Sequence, residues 1–467
     1  MKNRDINRIK LIVCISLLAV FILPHTLISQ QKNDEDHFMG TNFNKLDSAQ
    51  KWSLHFQLTT IRMQHGDFRS AYSGDNSLQD TAEAATSLTT TLFLGRKLWK
   101  GAAIYFNPEV AGGKGLSYAL GLAGAANGET FRIGSPKPKL YVARAFFQQH
   151  IALGNKHEFQ EADQNQLGEK IPSSRLTISL GKFSIADFFD ENGYSHDPRS
   201  EFMNWSLMSN GAWDYAANTR GYTWGGVVEL VSPKYAVRLS TVMVPLYANG
   251  PVLDPAIDKA HAETIELEKK LKFKGHNGSF KIMGFHNVSR APVYNTAVTN
   301  MTNGDSSLNG VIQGKKLGAA FTGLKYGFGI NFSQEFTDNF GMFSRIGWND
   351  GQTATWAFTE IDQTACLGIS IKGGKIKRPD DVFGCAVVVN GISQPHINYL
   401  NAGAYGFIVG DGKLTHYGNE EILEAFYKIS IANLIWITLD YQYVVNPAYN
   451  KDRGPVSILG LRGHIEF

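Results

Sequence analysis

The stretch 181–226 concentrates side chains that can bind polar solutes, and it lacks the regular alternation found elsewhere in the chain. Guanidinium groups form paired hydrogen bonds with planar or closely spaced oxygen atoms, and indole or phenol rings stack on apolar ring faces. Opposed charges across a narrow passage also set a transverse field that acts on ions. The candidate residues of this stretch are Asp187, Asp190, Glu191, His196, Asp197, Arg199, Trp205, Trp213 and Tyr215.

Each of these candidates has a structural alternative. A charge in a long connection can brace that connection against its surroundings, and a polar segment inside a protein must be held by such bonds. An aromatic residue in a loop can pack into the loop's own core instead of meeting a solute. The sequence leaves both roles open for every candidate.

Neither catalysis nor metal binding is predicted. The chain lacks the G-x-S-x-G, H-E-x-x-H and phosphate-loop motifs that mark activated nucleophiles, zinc proteases and nucleotide sites. Histidine and carboxylate are close in sequence at His65 with Asp67 and at His196 with Asp197, but no spacing demands the three or four converging ligands of a tight metal site. We therefore predict a protein that is not an enzyme and that uses no cofactor.

Segments of alternating apolar and polar residues flank the stretch on both sides, and this pattern predicts β-strands with one apolar and one polar face. The alternation is strict at 52–58. Glutamate and lysine at helical spacing make 264–273 ambiguous, but its apolar residues at alternate positions favour a strand. On the polar faces of their strands we place Glu109, Arg144 and Arg175, where they can meet the candidates of the long stretch.

These strands predict an all-β fold, a transmembrane antiparallel β-barrel of about sixteen strands. A soluble sandwich could show the same alternation. Very short turns between very long connections, aromatic residues near strand ends and a persistent polar face favour the barrel, which pairs every backbone group in lipid. The short turns are predicted to be periplasmic. The long connections, predicted to be extracellular or folded into the lumen, are 112–139, 181–226, 287–316 and 395–418.

The two ends of the chain contain export and assembly signals. Basic residues precede a short apolar run, which predicts a signal peptide at 1–29, followed by a periplasmic leader at 30–50 and the barrel at 51–467. The last strand ends in Phe467 with alternate apolar residues, the pattern that outer-membrane assembly machinery recognises. We therefore expect the outer membrane of a Gram-negative-type bacterium, with its lipids around the barrel.

Cysteine content and charge limit the remaining options. In an exported protein, Cys366 and Cys385 are predicted to form a disulfide, with two unpaired thiols as the alternative. A formal net charge of +3 and the lack of a basic tract beyond the signal peptide argue against a nucleic-acid partner.

Several stretches resemble the carbohydrate-selective porins, the OprB-like family, over nearly the whole mature chain. They are YSGDNSL at 72–78, LFLGRKLWKGAAIYFNPE at 92–109, GKFSIADFFDENGYSHDPRSEFMNW and AWDYAANTRGYTWG in the central stretch, RPDDVFG from Arg378, and the final NPAYNKDRGPVSILGLRGHIEF. The resemblance implies a sixteen-stranded outer-membrane barrel that passes sugars and other small solutes by diffusion through a constriction of infolded loops. Some members of the family are associated instead with uptake of manganese or other cations, which is the alternative here. Association into a homotrimer is left open, and the cysteine pair is not part of the family pattern.

Overall fold

The computed structural model describes residues 51–130 and 137–467, so the predicted signal peptide at 1–29 and leader at 30–50 lie outside the described residues. Extended segments dominate this part of the chain. The strands are β1 (Trp52–His65), β2 (Glu83–Trp99), β3 (Ala102–Gly113), β4 (Lys139–Ala152), β5 (His157–Gln160), β6 (Glu169–Pro172), β7 (Arg175–Phe183), β8 (Thr223–Val231), β9 (Tyr235–Met243), β10 (His261–Phe273), β11 (His276–Ser289), β12 (Gly323–Thr337), β13 (Phe340–Asn349), β14 (Gln363–Gly373), β15 (Arg378–Gly391), β16 (Glu420–Ala432), β17 (Ile435–Val445) and β18 (Val456–Glu466).

Sixteen of these strands form a closed antiparallel barrel. Each barrel strand pairs with the next one in the sequence, except that β4 pairs with β7, and β5 with β6 forms a separate small sheet. β1 and β18 close the barrel, with Leu58 opposite Ile465. The predicted antiparallel barrel of sixteen strands is therefore confirmed, and the ambiguous segment 264–273 is part of a strand, β10.

The barrel is apolar on its outer face and polar on its inner face. On β10, Ile265 and Leu267 point outward and are 45% and 50% exposed, whereas Thr264 and Glu266 point inward and are buried. A soluble sandwich would bury the apolar face against a second sheet. An apolar outer face is instead what a barrel surrounded by lipid requires.

Tight turns characterise one end of the barrel, here called the short-turn end. In the turn between β10 and β11, Lys274 and Gly275 both have positive φ, at 49° and 92°, as a type I′ hairpin turn requires. One connection at this end, 153–174, is long, contrary to the prediction; it contains β5 and β6, and its Leu167 is buried against residues of the barrel interior. The tight turns lie at 100–101, 232–234, 274–275, 338–339, 374–377 and 433–434.

Long connections join the strands at the other end, and they contain short helices. Ser393 begins the last of these helices by accepting a hydrogen bond from the His396 N–H at 3.2 Å. Among the described residues, no helix combines the length and the apolar character needed to cross a membrane. The helices are α1 (Trp205–Met208), α2 (Tyr294–Thr302), α3 (Ser307–Ile312) and α4 (Gln394–Asn401).

A bulge between β3 and β4 changes which side chains of β4 face the lumen. The register shifts between Asn107, which is opposite Arg144, and Pro108, which is opposite Val142. Proline has no N–H to donate to the ladder, so it is found at such irregularities. Because of the extra residue, Tyr141 and Arg144 both point inward although they are three positions apart.

The disulfide predicted between Cys366 and Cys385 does not form, since both are free thiols. Cys366 is opposite Val388 and Cys385 is opposite Ile369, so the two cysteines are offset by three residues, or about 10 Å along the strands. Their side chains also point to opposite faces of the wall: Cys366 is buried on the inner side, whereas Cys385 lies on the outer side by alternation. A disulfide needs a Cα separation below about 7 Å and converging Cβ atoms.

Candidate functional site

The connection between β7 and β8, residues 184–222, lies inside the barrel and is here called the inner loop. Residues 202–207 and 209–219 are all buried, although many of them are polar. Buried backbone N–H and C=O groups need hydrogen-bond partners. The polar side chains of the barrel's inner face supply many of these partners, and the resulting hydrogen bonds hold the loop within the lumen.

Asp190 and Arg345 form the central anchor of the inner loop. The Arg345 guanidinium, on β13, lies 3.0 Å from the Asp190 carboxylate and donates to the Ser195 carbonyl at 2.7 Å. Asn331 on β12 donates to the same carboxylate at 2.7 Å, and Glu266 on β10 accepts from the Asp190 N–H at 2.8 Å. Asp190 therefore holds the loop to three strands of the wall.

Further anchors come from β16 and β18. Glu424 on β16 accepts hydrogen bonds from the N–H groups of Met203 at 2.6 Å and Asn204 at 3.0 Å. Arg462 on β18 donates to the Pro198 carbonyl at 2.8 Å. β18 and β10 lie on opposite sides of the closed ring of strands, so the inner loop spans the lumen.

A cavity of about 280 Å³ lies between the inner loop and the wall formed by β2, β3 and β4. Gln164, from the long connection at the short-turn end, also reaches this cavity. Its charged and aromatic lining residues are Glu109, Glu129, Tyr141, Arg144, Asp187, His196, Asp197, Arg199, Trp205, Tyr215, Arg220, Tyr222 and Phe358.

Arg199 joins the inner loop to two carboxylates at the cavity wall. Its Nη2 lies 3.1 Å from Glu109 and its Nε lies 2.8 Å from Glu129, while Nη1 donates to Gln57 at 2.6 Å. Burial raises the pKa of Glu129 to about 7: the nearby Arg199 charge lowers it only in part, and the negative Glu109 raises it further. Glu129 therefore changes its charge close to neutral pH.

Glu109 is fully occupied by the protein itself. Its carboxylate accepts hydrogen bonds from Thr91 at 2.5 Å, Arg199 at 3.1 Å, Tyr222 at 3.1 Å and the Tyr141 hydroxyl. A carboxylate offers about four acceptor positions. Glu109 thus orients two tyrosines and one arginine around the cavity and has little capacity left for a solute.

Arg144 and Asp187 form a bidentate pair at the edge of the cavity. The Arg144 Nε and Nη2 donate to the two Asp187 oxygens at 2.6 Å and 2.5 Å. The same guanidinium lies 5.3 Å from the centre of the Tyr222 ring, and the Ser184 N–H donates to Asp187 at 3.1 Å. A guanidinium has five N–H donors, so Arg144 retains donors for a solute while its plane is held in place.

Three aromatic rings stack beside these charges. The centres of Tyr215 and Phe358 are 4.6 Å apart with planes 20° apart, and those of Trp205 and Phe358 are 5.0 Å apart with planes 16° apart. Trp205 lies in α1 and Phe358 in the connection between β13 and β14. All three rings border the cavity. The site therefore combines fixed hydrogen-bonding groups with nearly parallel ring faces.

The model of the OprB family, described as carbohydrate-selective porins, matches residues 76–467. The chain belongs to the OprB family. Members of this family are channels rather than enzymes, which agrees with a closed barrel whose interior is polar. No curated protein sequence matches the chain.

One of the solved structures similar to this porin supports the same fold. The high-pH structure of Pseudomonas putida OprB aligns with 92% of this chain and 96% of its own, at 16% identity and a TM-score of 0.67. The outer membrane channel DcaP of Acinetobacter baumannii aligns with 89% of this chain and 97% of its own, at 10% identity and a TM-score of 0.45. At 16% identity, the similarity to the P. putida protein shows the fold alone.

The structure divides the sequence-predicted residues of this porin into two groups. Arg175, Asp190, Glu191 and Trp213 do not border the cavity. Asp190 is the anchor described above, the Glu191 carbonyl accepts from Lys281 at 2.6 Å, and Trp213 packs in the loop's own core. The predicted residues that do border the cavity are Glu109, Arg144, Asp187, His196, Asp197, Arg199, Trp205 and Tyr215.

Arg175 lies far from the cavity, although alternation correctly predicts that its side chain faces the lumen. It begins β7 at the short-turn end and donates to Glu158 at 3.3 Å and to the Pro172 carbonyl at 3.1 Å. It is opposite Ala152 on β4, eight residues beyond Arg144, a distance of about 26 Å along the strand. Alternation fixes the face of a side chain but not its height in the barrel.

Sequence reasoning missed several lining residues for different reasons. Tyr141 and Arg144 lie on opposite sides of the bulge, so simple alternation counted from Arg144 gives the wrong face for Tyr141. Pro108 in the neighbouring strand is the signal that could have corrected this. Arg220 and Tyr222 lie within the stretch 181–226 and could have been included by residue type. Glu129, Gln164 and Phe358 come from separate connections, and no local pattern links them to the site.

Proposed function

We propose that this porin lies in the outer membrane of a Gram-negative-type bacterium and lets monosaccharides, small oligosaccharides and other small solutes diffuse through its lumen. The observation that supports this most directly is the cavity beside the inner loop, where the Arg144 guanidinium stands near the stacked rings of Trp205 and Tyr215. A pyranose has hydroxyl groups at its edge and apolar C–H faces. It therefore needs hydrogen-bonding groups and ring faces in one place.

We assign the narrow part of the pathway to the inner loop and the wall that faces it. In this proposal Arg144, Asp187, His196 and Asp197 offer polar groups to the solute, and Trp205 with Tyr215 offers ring faces. Glu109 and Arg199 hold the arrangement in place, since their bonds are made largely to other protein groups. Arg175, Asp190, Glu191 and Trp213 are left out because they do not border the cavity.

A pore for manganese or other divalent cations receives less support from this cavity. Hard cations bind several carboxylate or carbonyl oxygens. Here Asp187 is bonded to Arg144, and Glu109 and Glu129 are bonded to Arg199. Arginine charges next to the carboxylates also repel cations.

Export and assembly complete the proposal. Residues 1–29 would direct export, 30–50 would form a periplasmic leader, and the strand that ends at Phe467 would be recognised by the assembly machinery. Phe467 lies at the closing seam, where its N–H donates to the Phe56 carbonyl at 3.1 Å and its ring lies 5.3 Å from the Phe56 ring. Cross-linking and mass measurement in detergent would show whether three copies associate.

Reconstitution tests the proposed transport. Liposome swelling would be compared for glucose and larger sugars, alongside single-channel conductance in salt, with sugar, and with manganese. We expect rapid glucose entry, slower entry of larger sugars and a conductance that sugar reduces. Slow sugar entry combined with strong cation selectivity would instead support the cation pore, and the absence of conductance would refute both.

A further inference from the structure

Three side chains of the metal-binding type meet on the outer face of the barrel, away from the cavity. They are His261 and Glu263 on β10 and His286 on β11. The His261 Nδ1 lies 2.8 Å from one Glu263 oxygen, and the His286 Nε2 lies 3.0 Å from the other. One nitrogen or oxygen atom from each residue lies within 4.8 Å of the others.

The sheet itself brings these groups together. His261 and Glu263 are two positions apart on one strand, so they share a face. Glu263 is directly opposite His286 on β11 and opposite Thr241 on β9. Thr241 Oγ1 donates to the Glu263 carboxylate at 2.6 Å, as outer-shell groups do when they orient a metal-binding carboxylate. The arrangement is thus built on three paired strands rather than on loops.

The cluster lies at the edge of the apolar band, near the long-connection end. The next outward residues of β10, Ile265 and Leu267, are apolar. His286 is opposite Tyr326 on β12, whose ring lies 6.1 Å from that of Trp348, and such aromatic residues mark the level of the membrane interface. Water and ions reach this level, and charged groups cost little there.

The side chains of the cluster are accessible. The exposed fraction is 30% for the His261 side chain, 33% for Glu263 and 45% for His286. An ion could therefore approach from the outside of the barrel without entering the lumen.

We propose that His261, Glu263 and His286 form a binding site for a divalent transition-metal ion, with Zn²⁺ as the best match. Two imidazole nitrogens and one carboxylate oxygen, with water in a fourth position, are a ligand set that Zn²⁺ uses. Imidazole ligands favour zinc, copper and nickel over magnesium and calcium. Ligands of a tetrahedral Zn²⁺ ion lie about 3.4 Å apart, so the groups need only small side-chain rotations to bind it.

The proposed metal site is separate from the lumen through which solutes pass. It lies on the outer face, so the ion does not follow the path of a transported solute. Because Zn²⁺ would link β10 to β11 in the folded barrel, its binding should stabilise the folded state, and this stabilisation should grow with the logarithm of the Zn²⁺ concentration above the dissociation constant. The site is independent of the proposed sugar transport.

The test uses the tag-free mature chain, folded in detergent, with Zn²⁺ titrated against a chromophoric zinc indicator and Co²⁺ binding followed by visible spectroscopy. We expect one ion per chain. His261→Ala and His286→Ala should each weaken binding by more than about tenfold, since even outer-shell changes have effects of that size. The matched control is His276→Ala. His276 lies on β11, the strand of His286, but at the short-turn end and 3.7 Å from Glu335. This variant should bind Zn²⁺ as the wild type does.

Zn²⁺ affinity that is the same in the wild type, His261→Ala and His286→Ala would overturn the proposal, as would an equal loss in the His276→Ala control. Glu263→Gln keeps the shape of the side chain and removes its charge, so it decides the matter if the alanine variants do not fold. Swelling assays with sugar should be unchanged in all folded variants, which separates this result from the outcome for transport.

Discussion

Replacing Arg144 with alanine should weaken sugar binding in the lumen and increase the preference of the pore for cations. The structure places the Arg144 guanidinium at the cavity edge, where two of its donors bind Asp187 at 2.6 Å and 2.5 Å. Without it, Asp187 loses its partner, and the cavity gains one net negative charge. The same change at Arg175 is the matched control, since that arginine begins β7 at the short-turn end and does not border the cavity.

The size of the effect follows from the bonds that Arg144 can make. A hydrogen bond to a charged group contributes about 1.5–3 kcal/mol. Since 1.4 kcal/mol corresponds to a tenfold change in affinity, loss of one such bond to a sugar should raise its dissociation constant about tenfold or more. The loss of the side chain should also widen the passage, so conductance in salt should rise.

The assay is block of single-channel current by glucose, with the cation-to-anion permeability ratio measured from reversal potentials in a salt gradient. We expect weaker block and a higher ratio for Arg144→Ala, and wild-type values for Arg175→Ala. Wild-type block and wild-type selectivity in Arg144→Ala would refute the assignment of this residue to the passage. Equal effects in Arg144→Ala and Arg175→Ala would show that the effect does not depend on whether the arginine borders the cavity.

Three further predictions concern charge, stability and thiols. Burial raises the pKa of Glu129 to about 7, so its negative charge is lost as the pH falls through that value. The cation-to-anion permeability ratio should therefore fall as the pH is lowered through about 7, and Glu129→Gln should abolish this pH dependence. Arg345→Met leaves the buried Asp190 without its partner, which should cost about 3–5 kcal/mol; the heat-dependent mobility shift on gels should occur at lower temperature, and an unchanged transition would contradict the anchor role. Alkylation of the unfolded, unreduced mature chain should modify both Cys366 and Cys385, whereas a disulfide would protect them.

Much of the fold could be predicted from the sequence because alternation is a local property. A residue's position within a strand determines its face, so Ile265 and Glu266 could be assigned to opposite sides before their neighbours were known. The same reasoning placed Glu109 and Arg144 on the inner face. Alternation counted from Arg144 gives the wrong face for Tyr141, because one extra residue in the strand reverses the alternation.

The sequence could predict which residue types form the candidate site, but not which of the candidate residues border the cavity. The stretch 181–226 supplied Asp187, Arg199 and Trp205, all of which border the cavity. It also supplied Asp190, which binds Arg345 at a separation of 155 residues in the sequence. Whether a polar residue meets a solute or a partner in the wall depends on which distant groups surround it.

By itself, the sequence determined that this chain forms a barrel with an apolar outer face, a polar lumen and one unusually polar long connection. The tertiary structure alone decided the height of each lumenal side chain, the path of the inner loop and the contribution of Phe358 and Gln164 to the cavity. The physical reason is that alternation acts between neighbouring residues, whereas these features arise from strand register and from hydrogen bonds between groups far apart in the chain.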